Sequence, residues 1–380
     1  MKKIRFSLLT VLCLVLYLAL VPEPVNAEEW IYTREDLPMV YDLMWDYLNL
    51  GAGDTIVFHF PASLVAELSQ DKLVQTVRNA AYMVSTEDYW LSTRKHTDGH
   101  LEVKAVGLKI RSGEKLLIAF SSGDQSSLSS EEKQCLKQVT KVVTDMVRQY
   151  GEGSIDLEAA IYDYICEHVE YRTYPSGDNR REACTSATNA FMKGWGNCQA
   201  YSDLFRLMGH IGGLNVGYVI AASSSHMWNW IEIYPESGYH TFMVDVTFGD
   251  IENSRPHHYH MNFGLDRCDT HTWDKELFYG DLDKTTNDRY TYYSNKNSNF
   301  GYSADSVEEA AKYCVKRIEN GHRYAEVLIK RTGIKYDDVH AALKSILKNR
   351  QAQWNISFLR QLDNYTVLML TWKEYRNKTV

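Results

Sequence analysis

The chain has 380 residues, with 41 basic against 49 acidic side chains for a formal net charge of −8, and 44% of its residues are hydrophobic. That length supports two or three domains with sizeable cores, and the acidic balance gives no footing for nucleic acid or an anionic lipid surface. Seven cysteines spread over such a chain are too sparse for a disulfide-scaffolded mini-protein.

Lys2, Lys3 and Arg5 precede an apolar run from Leu8 to Val21, and Val25-Asn26-Ala27 follows it. This basic, apolar and small-residue order predicts a secretory signal peptide over residues 1–27. The apolar run is shorter than the roughly 18 residues of a membrane-spanning helix. The expected product is secreted, extracellular or cell-envelope associated, and it begins near Glu28. Cys135, Cys166, Cys184, Cys198, Cys268 and Cys314 remain in it.

Residues 28–150 read as an α/β domain. A helix-period segment opens at Thr33 and stops at Gly51 and Gly53, followed by a strand from Thr55 to Phe60 that Pro61 closes. An amphipathic helix follows from Ser69 to Val84. Extended segments are predicted over Tyr89 to Ser92, His100 to Ile110 and Lys115 to Phe120, then a helix from Glu131 to Tyr150. Gly151-Glu152-Gly153 marks the boundary to a central domain over residues 151–290, and a C-terminal α/β domain spans 300–380. There the order is helix from Ala304 to Glu319, strand from Tyr324 to Lys330, helix from Asp337 to Lys348, and a hairpin of Ile356 to Leu362 with Tyr365 to Trp372. This order repeats that of residues 33–110 without any shared residue pattern.

The central segment carries the chemistry. A helix from Ile155 to Val169 runs into Glu170-Tyr171, and a glycine-punctuated loop, Gly194-Trp195-Gly196-Asn197, then leads to Cys198. Tyr201, Leu204, Phe205, Met208 and Ile211 have helical spacing, so Cys198 lies in the first turn of an amphipathic helix. A helix N-terminus stabilises an anion, and thiolate is the nucleophilic form of cysteine. Taken alone, Cys198 reads first as a buried structural thiol, since free cysteine is among the most buried residue types. Three strands follow, from Leu214 to Ala222, His226 to Tyr234 and Tyr239 to Val246. A turn at Pro235-Glu236-Ser237-Gly238 sets His226 opposite Asp245; a one-residue slip would put them on opposite faces. An imidazole beside a carboxylate is held in one tautomer and is stabilised as imidazolium, the partner a thiolate needs.

Gly196-Asn197-Cys198-Gln199-Ala200-Tyr201-Ser202 resembles the cysteine block of the transglutaminase-like superfamily. His226-Met227-Trp228-Asn229 is similar to its histidine block and Val244-Asp245-Val246-Thr247-Phe248 to its aspartate block. The resemblance covers about residues 154–250. It implies an α+β, papain-like core in which the cysteine heads a helix packed on an antiparallel sheet, flanked here by smaller α/β units. It also implies Cys198 as nucleophile, His226 as general base and then acid, and Asp245 as orienter, with no cofactor and no metal. Val246 stands where the family commonly has proline, and Asn197-Cys198-Gln199 departs from the Gln-Cys-Trp order of animal cross-linking enzymes.

The expectation is a cysteine enzyme acting on protein or peptide amides through a thioester, with hydrolysis ahead of cross-linking. Its rival is a non-catalytic cell-envelope binding module that keeps the fold. The backbone N–H of Cys198 is one expected oxyanion donor, with Asn189 or Tyr174 as candidates for the second. His257, His258 and His260, with Asp266, Cys268 and His271 downstream, invite a zinc hypothesis, but their spacing matches no closed tetrahedral pattern.

Overall fold

In the computed structural model, which describes residues 27–86, 89–175, 178, 180–223, 225–233, 240–250, 258–265, 271–278, 293, 302–320, 324–348, 351–361 and 365–376, the chain enters on β1 (Ala27–Trp30). The expected signal peptide lies outside these residues except for Ala27, which pairs with Ile56. After α1 (Met39–Asn49) the chain returns as β2 (Thr55–Phe60), parallel to β1. Two helices follow, α2 (Ala62–Leu68) and α3 (Gln70–Val84), then the antiparallel hairpin of β3 (Trp90–Lys95) and β4 (Leu101–Val106). The sheet order is β1-β2-β4-β3. Period-2 alternation in β4 buries Leu101, Val103 and Ala105, and with Ile56, Phe58 and Phe60 they meet Val40, Met44, Leu73 and Val77 of the helices.

The strand from Thr55 to Phe60 ends at Pro61 as expected, and Pro61 also caps α2, because proline costs nothing where the N–H has no helical partner. One expectation fails here. Lys115 to Phe120 is not extended but lies inside α4 (Ser112–Ser122), which ends on the left-handed Gly123. Leu116-Leu117-Ile118-Ala119-Phe120 is a continuous apolar run, which carries no periodicity to separate a buried helix from a strand. Leu116, Leu117 and Ala119 pack into the central core, and that packing decides.

The central core gathers helices around one sheet. Helix α5 (Ser130–Tyr150) starts at a capping box, in which Glu132 N–H donates to Ser129 and Ser129 N–H to the Glu132 carboxylate. After α6 (Ile155–His168), β5 (Glu170–Tyr171), α7 (Arg181–Cys184), α8 (Ala187–Lys193) and β6 (Trp195–Gly196), the chain enters α9 (Cys198–Ile211). Strands β7 (Asn215–Ile220), β8 (Met227–Ile233) and β9 (His240–Val244) form an antiparallel sheet, followed by the short helix α10 (Val246–Gly249). Tyr201, Leu204, Phe205 and Met208 of α9 are buried between this sheet and α4, α5 and α6.

The C-terminal unit comprises β10 (Ser303–Ala304), α11 (Val307–Glu319), β11 (Tyr324–Ile329), α12 (Tyr336–Leu347), β12 (Gln351–Gln361) and β13 (Thr366–Arg376). Its strand order is β10-β11-β13-β12, with the first pair parallel and the other two antiparallel. That is the order and sense of the N-terminal sheet, so the repeated element order extends to strand topology. Among the described residues no helix is long and apolar enough to cross a membrane.

Candidate active site

The loop before Cys198 is held at every residue. Gly194 closes α8 in a left-handed conformation, and Trp195-Gly196 pairs in parallel with Glu170-Tyr171. The Asn189 amide donates to the Trp195 carbonyl at 2.7 Å, and Asn197 N–H donates to the Cys184 carbonyl at 2.8 Å. Gly196 has to be glycine, since a Cβ there would stand 2.6 Å from the Ala200 methyl and 3.3 Å from the Cys184 carbonyl oxygen. Asn197 is the N-cap of α9. Its side-chain oxygen accepts the N–H groups of Gln199 at 3.1 Å and Ala200 at 3.3 Å. Cys198 is thus the first helical residue, 5% exposed, with its own N–H left over by the cap. Asn189, a candidate oxyanion donor, instead ties this loop together, and Tyr174 lies under the Arg180 guanidinium.

His226 sits where β7 turns into β8, its carbonyl accepting from Ala221 N–H. The β8–β9 ladder pairs Asn229 with Val244 and Trp230 with Met243. This register is two residues away from the one expected from the turn, and an even shift keeps His226 and Asp245 on one face. His226 Nε2 lies 2.6 Å from Asp245 Oδ2, and the imidazole interacts with the Cys198 thiol. Phe248 stacks on the imidazole, ring centroids 4.7 Å apart. Burial pulls the imidazole's proton affinity down, but the Asp245 carboxylate and the Cys198 sulfur outweigh it and raise its pKa to about 10.

Asp245 is fully buried and fixed from four sides. Its N–H donates to the His260 carbonyl, its carbonyl accepts from Tyr162, and its Oδ1 caps α10 by accepting Phe248 N–H at 2.9 Å. Its Oδ2 accepts from His226 and also from His271 Nε2 at 2.9 Å. Burial disfavours the charged carboxylate, but the two histidines hold its pKa well below the usual range. Gly249, at the end of α10, leaves room for Tyr162, whose hydroxyl would otherwise collide with a Cβ 1.7 Å away.

His271, which the sequence offered only as part of a histidine-rich zinc cluster, belongs to the site: it stands 26 residues beyond Asp245 in a polar loop. The backbone of this loop extends the sheet, with Trp273 bridged to Ala221 and Asp274 N–H bonded to Ile220. The rest of the histidine-rich cluster separates. His258 lies between Asp163 and Glu326, and His257, Asp266 and Cys268 fall outside the described residues. Among the described residues the group with metal-ligand potential is His226, Asp245 and His271, whose ligand atoms all lie within 4.8 Å of one another. The five described cysteines, Cys198 included, are free thiols.

Residues 141–279 match the family model of the transglutaminase-like superfamily. Among solved structures the chain is similar to a TGase, with 16% identity over 62% of this chain and 62% of that one at a TM-score of 0.27. It is also similar to a candidate cysteine protease from Cytophaga hutchinsonii, with 16% identity over 43% of this chain and 65% of that one at 0.23. A candidate protease from Parabacteroides distasonis ATCC 8503 shares 7% identity over 85% of this chain and 66% of that one at 0.26. In each case this chain spans less than two thirds of the other protein. No curated protein matches it. The matched segment, residues 141–279, is transglutaminase-like, and Cys198, His226 and Asp245 all lie inside it.

Proposed function

We propose that the protein is a secreted cysteine enzyme that hydrolyses amide bonds of proteins or peptides, using Cys198, His226 and Asp245. The observation that carries this reading is the Cys198 thiol at the start of α9 beside the His226 imidazole, which bonds to the buried Asp245 carboxylate at 2.6 Å. The Cys198 thiolate attacks the amide carbonyl, forming the C–S bond and an oxyanion that the Cys198 N–H faces at the start of α9. His226, as imidazolium, gives its proton to the departing amine as the C–N bond breaks. Water then attacks the thioester, His226 takes its proton, and the carboxylate product leaves with the thiolate restored. Asp245 holds the imidazole in the required tautomer throughout.

Hydrolysis ranks ahead of cross-linking because Asn197-Cys198-Gln199 departs from the Gln-Cys-Trp order. Placement outside the cytoplasm rests on the basic and apolar order of residues 1–27. The test offers acceptor proteins and peptides with and without a labelled primary amine, using the wild type and Cys198→Ala. The expected result is Cys198-dependent release of amine or ammonia in water without label incorporation. Incorporation of the amine would make it a cross-linking enzyme. A Cys198 thiol alkylated by iodoacetamide no faster than free cysteine, with no turnover, would leave a binding module.

A further inference from the structure

A Cys-His-Asp line needs one imidazole on its carboxylate, and Asp245 has two. His226 Nε2 and His271 Nε2 both point at Oδ2, at 2.6 and 2.9 Å. His271 and Asp245 are buried, with side-chain exposures of 1% and 0%, while His226 exposes 16% and opens the cluster to solvent. Trp228, Phe248 and Phe263 pack their rings around His271 at 4.8, 5.0 and 4.9 Å, which excludes water and fixes the imidazole plane.

We propose that His226, Asp245 and His271 form a binding site for a divalent transition-metal ion of the zinc class, and that its occupancy silences the Cys198 site. Two imidazoles and a carboxylate are the nitrogen and oxygen donors that such an ion takes in three-ligand sites, with a fourth position left to water. Tetrahedral bonds of about 2.0–2.1 Å set ligand atoms about 3.3 Å apart, so each imidazole moves back from Oδ2 by roughly half an ångström. Asp245 is already oriented from behind by the Phe248 N–H, as a metal-bound carboxylate has to be. Binding releases the two Nε2 protons. With Nε2 on the metal, His226 holds at most the one proton on Nδ1 and cannot become the imidazolium that the Cys198 thiolate needs, and Asp245 no longer orients it. Magnesium and calcium, which select all-oxygen sites, do not compete.

The inhibition rests on the proposed catalytic role of Cys198, whereas the binding does not, and the experiment separates them. Zinc chloride is titrated calorimetrically into the full-length protein, Cys198→Ala, His271→Gln and His271→Cys, with magnesium chloride as control, and iodoacetamide alkylation of Cys198 is followed in parallel. Expected are one zinc bound by wild type and Cys198→Ala alike, at least a tenfold loss of affinity in His271→Gln, and recovery in His271→Cys, which restores a ligand. Zinc at saturation should slow alkylation more than tenfold, reversibly with EDTA. Loss of zinc binding in Cys198→Ala would place the metal on the sulfur and overturn the site. Unchanged affinity in a folded His271→Gln would overturn it as well, as would failure of His271→Cys to recover. Zinc binding in a protein that turns over no amide would sink the catalytic reading and leave the metal site standing.

Discussion

Asp245 is where the most local physics converges, because one buried carboxylate caps a helix through one oxygen and serves two imidazoles through the other. Its charge raises the His226 pKa to about 10 against the opposing effect of burial. Asp245→Asn keeps the shape and removes the charge. Measured with EDTA present, the alkaline limb of the pH–rate profile should then fall from near 10 toward the ordinary imidazole value of about 6.5, as only the Cys198 sulfur is left to oppose burial. The turnover number should drop by about 10⁴-fold, since the amide presents the wrong hydrogen-bonding face to the imidazole. An unmoved alkaline limb would mean that another group titrates there. Cys198, His226 and Asp245 were legible from residue type and spacing. His271 was legible only as a member of a histidine-rich cluster and not as a partner of Asp245, because a loop residue reaches a site through the path of its backbone and no local pattern encodes that path.

At the scale of elements, α9 is both the wall of the core and the mount of the thiol. Its N-cap uses up the N–H groups of Gln199 and Ala200 and leaves that of Cys198 over. Asn197→Ala should cost about 1 kcal/mol in chemical denaturation and slow Cys198 alkylation, because the first turn frays. A loss of stability with no change in thiol reactivity would show that the cap serves only the fold. The N-terminal unit grips the same helix: Gln199 donates to the Tyr82 carbonyl at 3.0 Å, and Arg111 and Asp203 form a buried pair at 2.7 Å. Apolar residues at helical spacing revealed α9, and β-branched and aromatic composition revealed β7, β8 and β9, although α9 and β7 are buried on all sides. Periodicity failed at α4, where five consecutive apolar residues mask the one face that is buried.

For the whole molecule, the flanking units hold the central core from two sides. Asp274, in the loop that carries His271, accepts from Lys72 at 2.6 Å and Asn79 at 2.7 Å, and Glu276 pairs with Arg34 at 2.8 Å, so the N-terminal unit fixes this loop. On the other side, the buried His258 imidazole bonds to Asp163 of α6 at 2.5 Å and Glu326 of β11 at 2.7 Å. Burial lowers the imidazole's proton affinity, but the two carboxylates outweigh it and raise its pKa to about 9. A group raised in the folded state stabilises fully below its unfolded value of about 6.5, and that contribution is lost as pH rises through about 9. Its ceiling is about 3 kcal/mol. Thermal unfolding of the wild type should therefore lose stability between pH 7 and pH 10, and His258→Gln should lose less over that interval, the remainder coming from His226, whose pKa is raised to about 10. Parallel pH dependence in the two proteins would show that other groups carry it.

The amino-acid sequence by itself determined the local devices: the capped helix that presents Cys198, the alternating strands that carry His226 and lead to Asp245, and the repeated element order on either side. These depend on residue spacing within a dozen positions, which periodicity and capping chemistry report directly. Only the tertiary structure decided the β8–β9 register, the helical state of α4, the strand topology shared by the two flanks and the arrival of His271 at Asp245. Each of those depends on which surfaces are buried together across long sequence separations, and that information belongs to the packed chain as a whole.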